Sequence, residues 1–248
     1  MSNGEVIRLA FLEIKNMTKR FGGLVANKDI SFDLDQGVIV SLIGPNGAGK
    51  TTLFNCLTGF LQAEEGEARF KGESIFGKTP QQILSAGIAR TFQITKTFRN
   101  MTVWDNVMVG ALFRHQRVKD ALKTTAEVIE FAGMNGKEAM LGSALTVADR
   151  KRVEVARALA TEPTLIMLDE AMAGLNRTEV LDATEFVRKI RKKGITVLLV
   201  EHIMEVVMPL SDWILVMDQG ALIAQGKPQD IVQNERVIKA YLGENWDA

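Results

Sequence analysis

Gly44-Pro45-Asn46-Gly47-Ala48-Gly49-Lys50-Thr51 stands between an apolar run, Val38 to Ile43, and a helical pattern, Thr52 to Leu57. The octet fits G-x-x-x-x-G-K-[ST], and a strand before it and a helix after it are the context in which that pattern cradles phosphate. Its glycines let the backbone curl until successive N–H groups point inward, and the helix adds the positive end of its dipole. In such a cradle Lys50 reaches the β- and γ-phosphates, and the Thr51 hydroxyl holds Mg²⁺.

Val38 to Ile43, Leu165 to Leu168, Ile195 to Val200 and Ile214 to Met217 are short apolar runs bounded by turn residues or charges. Such runs read as strands covered on both faces. Between the second and third lies Thr178 to Lys193, where Val180, Ala183, Val187 and Ile190 recur at helical spacing and basic residues collect at the C-terminal end. This is an amphipathic helix. Alternating strand and helix predicts an α/β core built on a mainly parallel sheet with right-handed crossovers.

Two regions leave that rhythm. Ile30, Phe32 and Leu34 alternate with Ser31, Asp33 and Asp35, and Gly66 to Ile75 also mixes polar with apolar residues, which predicts a small antiparallel sheet. From about Thr95 to Ala160 there is no strong strand pattern, and Leu122, Ala126 and Ile129 mark one helical stripe. This stretch reads as a helical subdomain inserted in the α/β core.

Composition narrows the function classes. The 248 residues are 46% hydrophobic and 24% charged, which is ordinary for a folded globular chain. Thirty basic residues offset thirty acidic ones, so the long-range positive field of a nucleic-acid binder is missing and no nucleic acid is expected as a partner. Cys56, the single cysteine, excludes an internal disulfide and reads as a small core residue in a reducing compartment. No apolar run approaches the roughly 18 residues that span a bilayer, and the first residues lack a basic flank followed by an apolar block. The chain is expected to be neither secreted nor membrane-spanning, and to meet a membrane only through a partner.

Phosphate chemistry needs a second part at the end of another strand, and Leu165-Ile166-Met167-Leu168-Asp169-Glu170 supplies it. Asp169 would anchor Mg²⁺ through its water shell, and Glu170 would polarise the attacking water as general base.

Together these parts resemble the nucleotide-binding subunit of an ATP-binding cassette (ABC) transporter, over residues 6–243. GPNGAGKTT, from Gly44 to Thr52, is similar to the family's Walker A, and LIMLDE to its Walker B. The resemblance implies an ABC-type P-loop NTPase core with a small antiparallel β subdomain over 6–94 and 161–243, a helical subdomain over 95–160, and a tail over 244–248. It implies ATP and Mg²⁺ as cofactors, bound by Gly44, Pro45, Asn46, Gly47, Ala48, Gly49, Lys50, Thr51 and Thr52. Gln93, in Arg90-Thr91-Phe92-Gln93, stands where the family has its Q-loop glutamine, which touches Mg²⁺ and the attacking water. His202 stands where the family's switch histidine contacts the γ-phosphate. Phe21, in Arg20-Phe21-Gly22-Gly23, stands where an aromatic ring stacks on adenine.

One family motif is broken. Leu145-Thr146-Val147-Ala148-Asp149 aligns with the LSGGQ signature, directly before RKRVEVARALA. In the family this segment opens a helix whose N-terminus meets the γ-phosphate bound by the partner subunit. Here Val147 and Ala148 replace glycines and Asp149 replaces glutamine. A carboxylate facing phosphate repels it; alternatively, Thr146 and Asp149 form a capping box that starts the helix. Both remain open. The D-loop, Ala173-Gly174-Leu175-Asn176, also departs from the S-A-L-D of most members.

RFGGLVA, ARTFQITKTFRNMTVWDNVMVG, AGLN and VIKAYLG resemble the ATPases of branched-chain amino acid importers. That resemblance implies a second ATPase subunit, often a different chain, two transmembrane permease subunits and, indirectly, a periplasmic binding protein. The chain would then sit at the cytoplasmic face of the inner membrane, held through the permeases. An exporter subunit, a urea or amide importer, a soluble P-loop kinase and an ATP-binding switch with little turnover are the rival readings.

Overall fold

The computed structural model describes residues 10–93 and 96–242. Parts of the expected domain, residues 6–9, Ile94, Thr95 and Gly243, and the expected tail over 244–248 lie outside the described residues.

β1 (Leu12–Phe21) and β2 (Leu24–Leu34) form a hairpin that turns at Gly22, where φ is +57°. Ile30, Phe32 and Leu34 point inward from β2, as their alternation predicts. β3 (Ile39–Ile43) is buried along its whole length and leads through the glycine-rich loop into α1 (Lys50–Leu57). β4 (Glu65–Phe70) and β5 (Glu73–Ser74) turn at Lys71 and Gly72, both at positive φ, the backbone of a tight two-residue hairpin. These four strands form the antiparallel sheet in the order β2-β1-β4-β5.

α2 (Pro80–Ala86) starts on a Thr79–Gln82 capping box and ends at Gly87, after which β6 (Ile88–Arg90) joins the main sheet. Three helices follow: α3 (Val103–Arg114), α4 (Val118–Phe131) and α5 (Val147–Leu159). The chain then returns to the core through β7 (Leu165–Asp169), α6 (Arg177–Lys192), β8 (Thr196–Val200), α7 (Met204–Leu210) and β9 (Trp213–Asp218). β10 (Ala221–Gly226), α8 (Pro228–Val232) and α9 (Glu235–Leu242) complete the described chain. The main sheet has six strands in the order β10-β9-β3-β8-β7-β6, parallel except for the antiparallel edge strand β10. The loops after β3, β8, β7 and β6 therefore leave the same edge of the sheet.

The helices between β6 and β7 pack through small contacts. Gly110 of α3 lies so close to α5 that a Cβ there would stand 2.1 Å from the Arg157 carbonyl oxygen. The stripe expected on α4 is corrected by the structure, because Leu122 and Ala126 are exposed while Ala121, Thr124, Thr125 and Ile129 face inward. The threonines can be buried because their hydroxyls find partners: Thr125 donates to the Ala121 carbonyl at 2.8 Å, and Thr124 pairs with His115 Nε2 at 2.9 Å. Among the described residues no helix is long and apolar enough to cross a membrane.

Candidate active site

The glycine-rich loop is wedged between two neighbours. A Cβ on Gly44 would lie 2.1 Å from the Met217 carbonyl oxygen, and one on Gly49 would lie 2.4 Å from that of Ala26. Gly44 and Gly49 also hold φ of +151° and +97°, so sterics and backbone conformation both demand glycine there. The buried Asn27 amide donates to the Gly49 carbonyl at 3.1 Å and ties the loop to β2. Lys50 folds over the loop and donates to the Gly44 and Pro45 carbonyls at 2.7 and 2.8 Å. Burial pushes its ammonium below the usual lysine range, against the pull of Glu170 and Asp169.

At the end of β7 the two acids have different surroundings. The Asp169 side chain is 1% exposed, and its Oδ2 accepts from Arg90 at 3.0 Å. Arg90 also donates to Asn55 Oδ1 at 2.7 Å and Thr58 Oγ1 at 3.0 Å, so one guanidinium fastens β6, α1 and β7 together. Burial raises the Asp169 carboxyl above the ordinary range, with Arg90 opposing that shift. Its Oδ1 is buried and has no hydrogen-bond partner. Glu170 takes φ of +50°, a left-handed conformation that a side-chain-bearing residue holds only under tertiary constraint. Here the constraints are the Glu170 N–H, which donates to the Val200 carbonyl at 3.0 Å, and the Glu170 carbonyl, which accepts from Lys151 at 2.9 Å. The Glu170 carboxylate accepts from Gln93 Nε2 at 3.0 Å.

Phe21, Asn46 to Thr52, Gln93 and Glu170 line one cavity of about 530 Å³. Phe21 is 47% exposed, with the Lys19 ammonium 5.1 Å from its ring centre. Leu24, Val25, Ala26, Gln219 and Gly220 complete the wall, and nothing local in the sequence pointed to them. Gln219 and Gly220, both at positive φ, turn β9 into β10, and a Cβ on Gly220 would lie 2.9 Å from the Ala26 carbonyl oxygen. A turn was readable in Asp218-Gln219-Gly220, but its destination was not.

His202 is exposed just beyond β8 and does not line this cavity. The signature segment is elsewhere: Thr146, Ala148 and Asp149 line a separate cleft of about 510 Å³ between α5 and α6. Thr146 caps α5 by accepting from the Asp149 N–H at 3.1 Å. The Asp149 carboxylate is held by Lys137, at 2.7 and 2.8 Å, so of the capping box, one of the two readings left open, only the Thr146 half forms.

Two further buried carboxylates hold segments next to the site. Glu154 of α5 accepts from the Phe92 N–H at 3.1 Å, one residue before Gln93, and Glu201 accepts from the Met172 N–H at 2.9 Å, two residues after Glu170.

Comparison with known proteins gives the family and the fold. The family described as "ABC transporter" matches residues 27–173, and the one described as "Branched-chain amino acid ATP-binding cassette transporter" matches residues 221–247. The chain is 43% identical to the high-affinity branched-chain amino acid transport ATP-binding protein BraF of Pseudomonas aeruginosa, over 94% of this chain and 98% of that one. It is 40% identical to the protein LivG of Escherichia coli, which carries the same description, over the same shares of both chains. Among solved structures, a nucleotide-free ATP-binding cassette from an ABC transporter superposes with a TM-score of 0.87 at 30% identity, covering 95% of this chain and 100% of that one. An ATP-binding cassette in its ADP conformation superposes with a TM-score of 0.85 at 31% identity, again over 95% and 100%.

Proposed function

Because this chain belongs to the ABC transporter ATPases, we propose that it binds ATP in the cavity over the glycine-rich loop and hydrolyses it to drive a membrane importer for branched-chain or related amino acids. The observation that carries the reading is the Gln93–Glu170 contact at the mouth of a phosphate cradle. It brings a glutamine from beyond β6 to the acid expected to polarise water.

The residues divide the work. Gly44 to Gly49 present backbone N–H groups to the β-phosphate, and Lys50 exchanges its two loop carbonyls for phosphate oxygens when nucleotide enters. Phe21, with Leu24 and Val25, offers an apolar wall for the adenine. Glu170 takes the proton of the attacking water while Gln93 orients its carboxylate. His202 would reach the γ-phosphate once the site closes. The site suits Mg²⁺: the unpartnered buried Oδ1 of Asp169 and the exposed Thr51 hydroxyl are hard oxygen donors. When bound, the ion neutralises phosphate charge.

Thr146, Ala148 and Asp149 line a cleft other than the chain's own nucleotide cavity, which supports a head-to-tail pair in which each signature covers its partner's nucleotide. The partner is a second ATPase, a different chain in the importer reading, with two permease subunits and an extracytoplasmic binding protein completing the assembly. The chain then lies at the cytoplasmic face of the inner membrane. Phe98, Val109, Leu112 and Phe113, all exposed at or on α3, offer the apolar contact that a permease helix needs.

The test is reconstitution with the permeases and binding protein that co-purify with the tagged chain. ATP hydrolysis stimulated by a branched-chain amino acid, with accumulation of that amino acid, is the expected result. Export of the amino acid, or hydrolysis indifferent to it, would overturn the importer reading.

A further inference from the structure

The signature segment carries an acid where an incoming polyphosphate needs the opposite. Asp149 lies in the first turn of α5, where the leading N–H groups have no acceptor inside the helix. Thr146 satisfies Asp149 and Arg150, through its hydroxyl and its carbonyl, and leaves the amides of Val147 and Ala148 at the open end. That end can meet an anion, but a bare carboxylate in the same turn would cancel its field.

The carboxylate is not bare. Lys137 Nζ donates to both Asp149 oxygens, at 2.7 and 2.8 Å, and the two side chains are only 39% and 16% exposed. The lysine is built into its place. Its N–H donates to the carbonyl of the buried Met134 at 3.1 Å, and its own carbonyl accepts from Met140 at 2.9 Å. The same short loop is stitched to the start of α3, where Val103 and Trp104 donate to the Met140 and Glu138 carbonyls at 2.9 and 3.0 Å. The main chain that carries Lys137 is therefore fixed within reach of Asp149, and the ammonium meets both carboxylate oxygens with no nucleotide present.

We infer that Lys137 is a positioning residue of the signature segment: by gripping Asp149 it makes a neutral pair in place of a neutral side chain, and so keeps the N-terminus of α5 able to receive the γ-phosphate bound by the partner ATPase. The inference rests on the head-to-tail pair proposed above. Lys137 need not touch nucleotide, since its effect passes through Asp149.

The experiment uses the assembled transporter and compares wild type, Lys137→Met and the double variant Lys137→Met/Asp149→Asn. ATP-driven closure of the ATPase pair is followed by crosslinking, alongside kcat and KM for ATP. Lys137→Met leaves the carboxylate unpaired and is expected to raise the ATP concentration needed for closure roughly tenfold at low ionic strength. The loss shrinks as salt is added, because repulsion is screened whereas a folding defect is not. Removing the charge in the double variant is expected to bring closure back to within about threefold of wild type. Closure by Lys137→Met at the wild-type ATP concentration, or a double variant no better than the single one, would overturn the role of Lys137. Wild-type assemblies that hydrolyse ATP without pairing their ATPase subunits would instead overturn the head-to-tail reading, and this inference with it.

Discussion

Gln93 donates to the Glu170 carboxylate across 3.0 Å although the two residues are 77 positions apart. The contact holds the acid at the cavity mouth while the left-handed backbone at Glu170 turns its side chain off the end of β7. Glu170→Gln should therefore keep ATP binding while slowing hydrolysis in the assembled transporter by roughly 100-fold or more. Lys50→Ala should fail earlier, by weakening ATP binding itself. Hydrolysis by Glu170→Gln at the wild-type rate would remove Glu170 from the role of base.

Arg90 and Asp169 form a buried pair, with side chains 6% and 1% exposed. Truncating one partner of such a pair costs about 3–5 kcal/mol, because the other charge stays buried without compensation. Arg90→Met is expected to show a loss of that size in denaturant unfolding of the purified chain. Replacing both partners by apolar residues should recover much of it. A loss below about 1 kcal/mol for the single change would mean that Asp169 is solvated some other way.

The exposed apolar residues at and on α3 give a mapping experiment. Phe98→Cys, Leu112→Cys and Phe113→Cys should crosslink to a permease subunit, with yields that change when ATP is added, since coupling requires a contact that differs between nucleotide states. The native Cys56 is a quiet background, because burial pushes its thiol up to about 11. Crosslinks confined to water-soluble partners would contradict the assembly.

Glu201 predicts a pH dependence of stability. Its side chain is buried, Oε2 has no partner, and burial raises its carboxyl above the ordinary range despite the Met172 N–H. The unfolded chain then ionises at lower pH than the folded one, so this residue's contribution is intact below the ordinary carboxylate range and is lost as pH rises through the raised value. Glu201→Gln, which keeps an acceptor for Met172, should gain on the wild type as pH climbs from acid toward neutral. Thermal unfolding of both proteins across that interval checks it; a gap independent of pH would show that Glu201 does not titrate in this way.

Strands covered on both faces could be read because burial forces them to be continuously apolar: Val38 to Ile43, Leu165 to Leu168, Ile195 to Val200 and Ile214 to Met217 correspond to β3, β7, β8 and β9. β1 hid because Asn16, at φ of +47°, lies where the pairing with β2 shifts register and the alternation breaks. β6 hid because three residues cannot display a period. The glycine-rich loop was legible because its pattern sits within eight consecutive positions. Arg90 against Asp169 was not, since that pair joins segments 79 positions apart, and Lys137 against Asp149 was not, since it depends on how the loop before α5 folds back across 12 positions. On α4 the polar threonines took the inward face, a choice made by their neighbours' carbonyl and imidazole rather than by hydrophobicity.

The adjacency of β3, β8, β7 and β6 works as a ruler. Neighbouring strands are about 4.8 Å apart, so four consecutive parallel strands set out four loop origins at fixed steps over roughly 14 Å. The loop bearing Lys50, the residue His202, the pair Asp169 and Glu170, and Gln93 are graduations on that scale, and after Lys50 they run in the reverse of their order along the chain. Insertions within the intervening helices leave the graduations where they are. A one-residue slip of β7 between its neighbours would move Glu170 along the scale, turn the side chains of β7 to the opposite face and part Asp169 from Arg90.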